Sequence, residues 1–257
     1  MQASELFNQP NTILLDGGMG TMLQAAGMKL GTRPEDLNLE NPELIRSIHA
    51  KYAAAGSRVV NANTFGASPH KLADSKYTLE EVITEGIANC KQAVAPYGAL
   101  VTLDVGPLGE LLEPSGTLAF EDAVADILYF ETFTDLYEMK AALLAAKENS
   151  TLPIMASMSF EANGRTFTGC TVESFAATAR GLGANAVGIN CSLGPKEIFP
   201  MAKRLAEAVP GDFPVFVKPN AGLPRADGSG YDITPQLYAM QMKPYRELHL
   251  FAAGGCC

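Results

Sequence analysis

Apolar residues in this chain fall into short unbroken runs, separated by stretches in which they recur every three or four positions. The runs are Ile13–Asp16, Arg58–Asn63, Leu100–Val105, Ile127–Glu131, Pro153–Ser159, Ala186–Asn190, Val215–Pro219 and His249–Ala252. Most are apolar at nearly every position, as strands covered on both faces should be. The intervening stretches carry helix signals. Leu44, Ile45, Ile48 and Tyr52 form one apolar stripe after Pro42. Thr78 and Glu81 have capping-box spacing ahead of Val82, Ile83 and Ile87, and Asp135 with Glu138 repeats it ahead of Met139, Ala142 and Leu143. Thr234 followed by Pro235 is a cap with proline at the first helical position.

Eight strands alternating with helices in a chain of 257 residues predict a (β/α)8 barrel of the α/β class. A doubly wound open sheet is the alternative. It lacks its fingerprint, because Leu23 stands where the third glycine after Gly18-Met19-Gly20 belongs. Two places depart from a full barrel. Only Leu118–Asp126 is available as a helix between the third and fourth runs, which is short for a parallel crossover, and nothing follows the eighth run. The expectation is one barrel domain over residues 1–257, with a shortened third crossover and no final helix. Such a chain is either a piece of a longer multi-module protein or one that has lost segments.

Composition narrows the partners. A net charge of −9 without a Lys/Arg cluster argues against nucleic acid. No apolar run is long enough to span a bilayer, so no membrane role is expected. The N-terminal Met1-Gln2-Ala3-Ser4-Glu5 has no secretory character, which leads to the expectation of a cytoplasmic protein. In that reducing setting five cysteines, an odd number, point to metal or catalysis rather than disulfides.

In a (β/α)8 barrel the chemistry sits at the C-terminal ends of the strands. There the sequence places Asp16, Asn63, Asp104, Glu131, Cys191, Asn220 and the pair Cys256-Cys257. Strands six and eight are separated by one strand, so their ends lie roughly 10 Å apart. Cys191 and the pair can then converge on one zinc with an open fourth position. Spacing alone leaves this reading and that of ordinary buried thiols open, and the shared rim favours zinc. Cys90 and Cys170 read as structural. Asp16 and Glu131 read as ligand contacts, since a carboxylate at the end of a buried strand is costly without a partner. Asp104 is a less definite candidate. His49, His70 and His249 have no metal-ligand spacing, and the first two read as surface or helix-face residues.

Leu15-Asp16-Gly17-Gly18-Met19-Gly20-Thr21, Asn63-Thr64-Phe65-Gly66, Glu131-Thr132-Phe133, Gly188-Ile189-Asn190-Cys191-Ser192, Pro219-Asn220-Ala221-Gly222 and Gly254-Gly255-Cys256-Cys257 together resemble the homocysteine S-methyltransferase family. Asp36-Leu37-Asn38, Gly106-Pro107-Leu108-Gly109-Glu110-Leu111 and Asn190-Cys191-Ser192-Leu193-Gly194-Pro195 are most similar to the N-terminal homocysteine-binding module of cobalamin-dependent methionine synthases. The resemblance implies a zinc held by Cys191, Cys256 and Cys257, with the homocysteine sulfur at the fourth position. It implies that Asp16, the Gly18-Met19 turn and Glu131 hold the amino and carboxylate ends, with Asn220 close to the metal or the amino acid. It also implies methyl transfer giving methionine, with methylcobalamin on a corrinoid-carrying module as donor.

Alternatives remain at this point. Betaine or S-methylmethionine could serve as donor. The chain could instead be a structural or degenerate zinc-binding barrel without catalysis. Lys218, at the end of the seventh run, could form a Schiff base, but that leaves three rim cysteines unexplained.

Overall fold

The computed structural model describes residues 3–29, 31–107, 125–225 and 230–257. Among the described residues eight strands are present: β1 Ile13–Leu14, β2 Val59–Asn61, β3 Leu100–Val105, β4 Ile127–Phe133, β5 Ile154–Met158, β6 Ala186–Asn190, β7 Val215–Lys218 and β8 Ala252–Ala253. The α-helices are α1 Ala3–Leu6, α2 Met19–Ala25, α3 Leu37–Glu40, α4 Pro42–Ala54, α5 Leu79–Val94, α6 Leu136–Asn149, α7 Val172–Gly181, α8 Pro195–Glu207 and α9 Pro235–Met242. All strand pairs are parallel, in the order β1-β8-β7-β6-β5-β4-β3-β2. A bridge between Leu15 and Val59, with Arg58 N donating to Leu14 O at 2.8 Å, draws β1 toward β2 and nearly closes the barrel.

The expected strands and caps are found. β3 and β6 have the expected limits, while β1 and β8 shorten to two residues each. Thr78 closes a reciprocal capping box with Glu81, Asp135 accepts from Tyr137 N and Glu138 N, and Thr234 accepts from Leu237 N. The expected short crossover at Leu118–Asp126 lies almost wholly outside the described residues. β8 is followed by the loop 254–257. Among the described residues no helix is long and apolar enough to cross a membrane.

Strand periodicity divides the barrel into layers. Val59, Leu100, Ile127, Tyr129, Met155, Ala186, Phe216 and Ala252 pack together in the interior. Below them Leu6 is fully buried and Phe7 stacks on Phe251 at 5.2 Å, so the segment around α1 plugs the bottom. Gly188 leaves room for this packing, since a Cβ there would come within 2.5 Å of the Phe216 ring. Two residues further along the same strands the interior positions turn polar: Asn61, Glu131, Asn190 and Lys218. The alternate residues Leu128, Phe130, Val187 and Val217 face the helices and form the outer core.

One half of a sequence expectation fails. His49 lies on a helix but not at the surface: it is fully buried, and neither ring nitrogen has a hydrogen-bond partner among the described residues. The reason is tertiary. α4 packs against both α3 and α5, which covers more of its circumference than the Leu44-Ile45-Ile48-Tyr52 stripe.

Candidate metal and substrate site

The top layer opens into a cavity of about 350 Å³ at the C-terminal ends of the strands. Asp16, Gly18, Met19, Glu131, Cys191, Cys256 and Cys257 all line it. Asn220 is not among the lining residues.

The three cysteines converge. Their sulfurs lie within 4.8 Å of one another, although the residues are 65 and 66 positions apart or adjacent. Backbone contacts between the loops after β6, β7 and β8 produce this. Cys191 N donates to Lys218 O at 3.0 Å and Cys256 N to Pro219 O at 2.9 Å. Cys257 N donates to Asn220 Oδ1 at 3.0 Å, so Asn220 holds the cysteine pair through its backbone. On the other side Gly255 N donates to Asp16 O at 2.9 Å. Cys191 has φ 63 and Ser192 φ 64, left-handed conformations that turn the strand end back over the barrel mouth.

All five cysteines are free. Hydrogen bonds from Cys191 and Cys256 hold the Cys257 thiol well below the ordinary cysteine range, and Cys256, sharing its proton with Cys191 and Cys257, is pushed well above it. The cluster is therefore already arranged to stabilise a thiolate. Three sulfur donors with one open side suit a tetrahedral zinc with an exchangeable fourth position. Cys90 is buried in α5, and Cys170 points its sulfur at Thr171 O at 3.3 Å; neither joins the cluster.

Beside the sulfurs lies a buried charged group. Lys218 Nζ is 3.0 Å from Asp16 Oδ1 and 3.5 Å from Glu131 Oε2, and sits 5.3 Å from the centre of the Tyr129 ring. Asp16 Oδ2 accepts from Asn61 N at 2.7 Å. Burial alone would lower the Lys218 ammonium, but Asp16 and Glu131 outweigh it and hold it well above the ordinary lysine value. Glu131 is raised by burial, which the Lys218 charge only partly offsets. Asp104 also lines the cavity; burial, then the nearby Glu131, pushes it well above the usual carboxylate range. Glu131 Oε2 and Asp104 Oδ1 both lack a hydrogen-bond partner among the described residues. Glu131 Oε2, with the Lys218 ammonium beside it at 3.5 Å, keeps acceptor capacity on the cavity side that suits a cationic donor.

Sequence reasoning placed Asp16, Glu131 and the cysteines on this rim but missed the central role of Lys218. Its signal was the period of two: Phe216 faces the interior, so Lys218 does too. Glu131 is followed by Thr132 with φ 65, a β-branched residue in the left-handed region. A conformation of this kind costs on the order of 1–3 kcal/mol and persists only where its surroundings impose it.

The sequence pattern of the family described as homocysteine S-methyltransferase matches residues 13–257. The chain is 30% identical over 277 residues to the methionine synthase of Mycobacterium tuberculosis, across 94% of this chain and 23% of that protein. It is 30% identical over 278 residues to the methionine synthase of Mycobacterium leprae, with the same coverage of 94% and 23%. The chain thus spans under a quarter of the length of these curated relatives. The metallated form of the homocysteine methyltransferase MmuM from Escherichia coli superposes with a TM-score of 0.79 at 24% identity, over 98% of this chain and 93% of that one. Its oxidized form gives a TM-score of 0.82 at 23% identity, over 99% and 94%. At these identities the likeness shows a shared barrel.

Proposed function

The chain belongs to the homocysteine S-methyltransferase family, and from this premise we propose that it methylates the sulfur of homocysteine, giving methionine, at a zinc held by Cys191, Cys256 and Cys257. The observation that carries the reading is the position of the three sulfurs, mutually within 4.8 Å, on the same cavity as the Glu131 carboxylate, whose Oε2 is ion-paired with Lys218 but accepts no hydrogen bond among the described residues. A homocysteine bound there meets sulfur-seeking and ammonium-seeking groups at its two ends.

Zinc bound to the three cysteines supplies a Lewis acid that favours the thiolate of a coordinating thiol at neutral pH. The protein's part is orientation. Glu131, steadied by Lys218, accepts from the homocysteine ammonium, Asp16 completes the charge around it, and the Gly18-Met19 turn lies against the carboxylate. Fixing the amino acid at this end aims its sulfur out of the barrel mouth, and such positioning removes much of the entropic part of the barrier. The sulfur then forms its bond to the methyl carbon as the bond from carbon to the carrier breaks, and the carrier keeps that electron pair. No general base is required once the thiol has lost its proton.

The resemblance of the rim motifs to cobalamin-dependent methionine synthases supports methylcobalamin, carried on a separate corrinoid-binding module, as donor. The test is zinc per chain on freshly reduced protein beside Cys191→Ala, followed by methyl transfer to L-homocysteine from methylcobalamin, betaine or S-methylmethionine. About one zinc in the parent, little in the variant and turnover with methylcobalamin support the reading. Turnover with betaine or S-methylmethionine instead would replace the donor, and a folded, reduced parent that takes up no zinc would sink the mechanism.

A further inference from the structure

One buried side chain joins the metal-binding half of this site to the half that receives the amino group. Asn190, the last residue of β6, is completely buried. Its Oδ1 accepts from Thr132 N at 2.9 Å and from Ser157 Oγ at 2.8 Å. Its Nδ2 donates to Thr132 Oγ1 at 2.7 Å and reaches Cys256 Sγ at 3.9 Å. A carboxamide has two acceptor sites and two donor hydrogens, and here all four are engaged.

Each engagement has a consequence. Thr132 stands directly after Glu131 with φ 65, in a conformation a threonine adopts only under constraint. Asn190 supplies that constraint by clamping the Thr132 amide and hydroxyl together, which sets the direction from which Glu131 enters the cavity. The fourth contact places an N–H donor against the sulfur of a cluster cysteine. A donor at that position draws charge from a thiolate and fixes its lone-pair direction, as groups behind metal ligands commonly do. Asn190 also directly precedes Cys191, so the same residue is tied to two of the three sulfurs.

We propose that Asn190 is a positioning residue that sets metal retention through its N–H···S contact with Cys256 and sets homocysteine affinity through the left-handed turn at Thr132. The inference rests on the reading of this site as a zinc-dependent homocysteine site. It makes the two halves of the site separable by mutation.

The experiment compares the parent, Asn190→Asp and the double variant Asn190→Ala/Thr132→Gly, each loaded with zinc. Asn190→Asp keeps the acceptor of the bonds from Thr132 N and Ser157 Oγ, loses both donors and sets an acceptor against Cys256; circular dichroism checks that each variant is folded before it is compared. The double variant removes the clamp together with the residue that needs it. Zinc removal by a chromogenic chelator, the thiolate-to-metal absorption of the cobalt-loaded proteins and calorimetric binding of L-homocysteine are measured. Asn190→Asp should lose zinc on the order of tenfold faster and shift the cobalt absorption. With zinc kept in excess during the calorimetry, the double variant should bind L-homocysteine within about threefold of the parent, since glycine adopts the left-handed turn freely, yet still lose zinc fast to the chelator. Parent-like zinc release and cobalt absorption in Asn190→Asp would overturn the proposal. So would a double variant that retains zinc as the parent does, or one that binds homocysteine poorly. A parent that binds zinc but no homocysteine, or no zinc, removes the underlying reading and this inference with it. Measuring the parent first separates that failure from a failure of Asn190 alone.

Discussion

Lys218 Nζ and Asp16 Oδ1 lie 3.0 Å apart, from opposite ends of the chain, with only 3% and 5% of their side chains exposed. Two charges so deeply buried are tolerable only together. Removing one partner of such a pair typically costs 3–5 kcal/mol, because the other is left uncompensated. Lys218→Met should therefore destabilise the protein by several kcal/mol, on the order of that range. Lys218→Met/Asp16→Asn should recover a large part of the loss. Denaturant unfolding of the four proteins of this cycle measures the coupling, and strictly additive effects would show that the pair does not act as a unit.

His49 predicts a pH dependence. Burial lowers it from 6.5 to about 4, so the unfolded chain binds a proton that the folded one excludes. Its contribution is fully present above pH 6.5 and is lost as the pH falls toward 4. The full loss is about 3 kcal/mol from the linkage relation. His49→Leu should gain stability over the parent on going from pH 7.5 to 5. A difference between the two proteins that stays constant with pH would contradict this assignment.

Asp104 should act in the opposite sense. Its folded carboxyl is pushed well above its ordinary value by burial and by Glu131, so the folded state holds a proton that the unfolded chain releases above about pH 4. Stability from this group falls as the pH rises beyond that point. Asp104→Asn should therefore stabilise the protein at pH 8 and leave it little changed at pH 4. The slopes of Asp104 and His49 overlap, so the parent profile is flattened and only the variant-minus-parent differences resolve them. An Asp104→Asn variant less stable than the parent at pH 8 would show that this carboxyl is ionised and paired.

Gly18 predicts an effect on the metal site from the turn after β1, which lies against the cysteine loop. A Cβ there would lie 2.4 Å from the Cys256 carbonyl oxygen and 2.8 Å from Thr21 Oγ1. The first contact is with backbone, which cannot swing away. Gly18→Ala should displace the cysteine pair and speed zinc loss to a chelator by roughly tenfold. Unchanged zinc retention would mean that the loop after β8 moves without disturbing the sulfurs.

The pattern of apolar runs and capping residues, together with the rim motifs, determined much by itself. It determined eight strands, their alternation with helices, the barrel, and the placement of Asp16, Glu131, Cys191, Cys256 and Cys257 on one rim. These are legible because hydrophobic periodicity and helix caps are local properties, and because a barrel assigns strand ends to one face whatever the side chains are. The tertiary structure alone decided what those ends do to one another. Nothing local to Lys218 marks it as the cation between two carboxylates 202 and 87 positions away; that follows from which strands face each other across the barrel. Nothing local to His49 shows that α3 and α5 cover it. Asn190 sits in a motif that reads as leading into a metal ligand. Only closure of the barrel brings its amide against Thr132, Ser157 and Cys256 together, because those residues reach it from three other loops and strands.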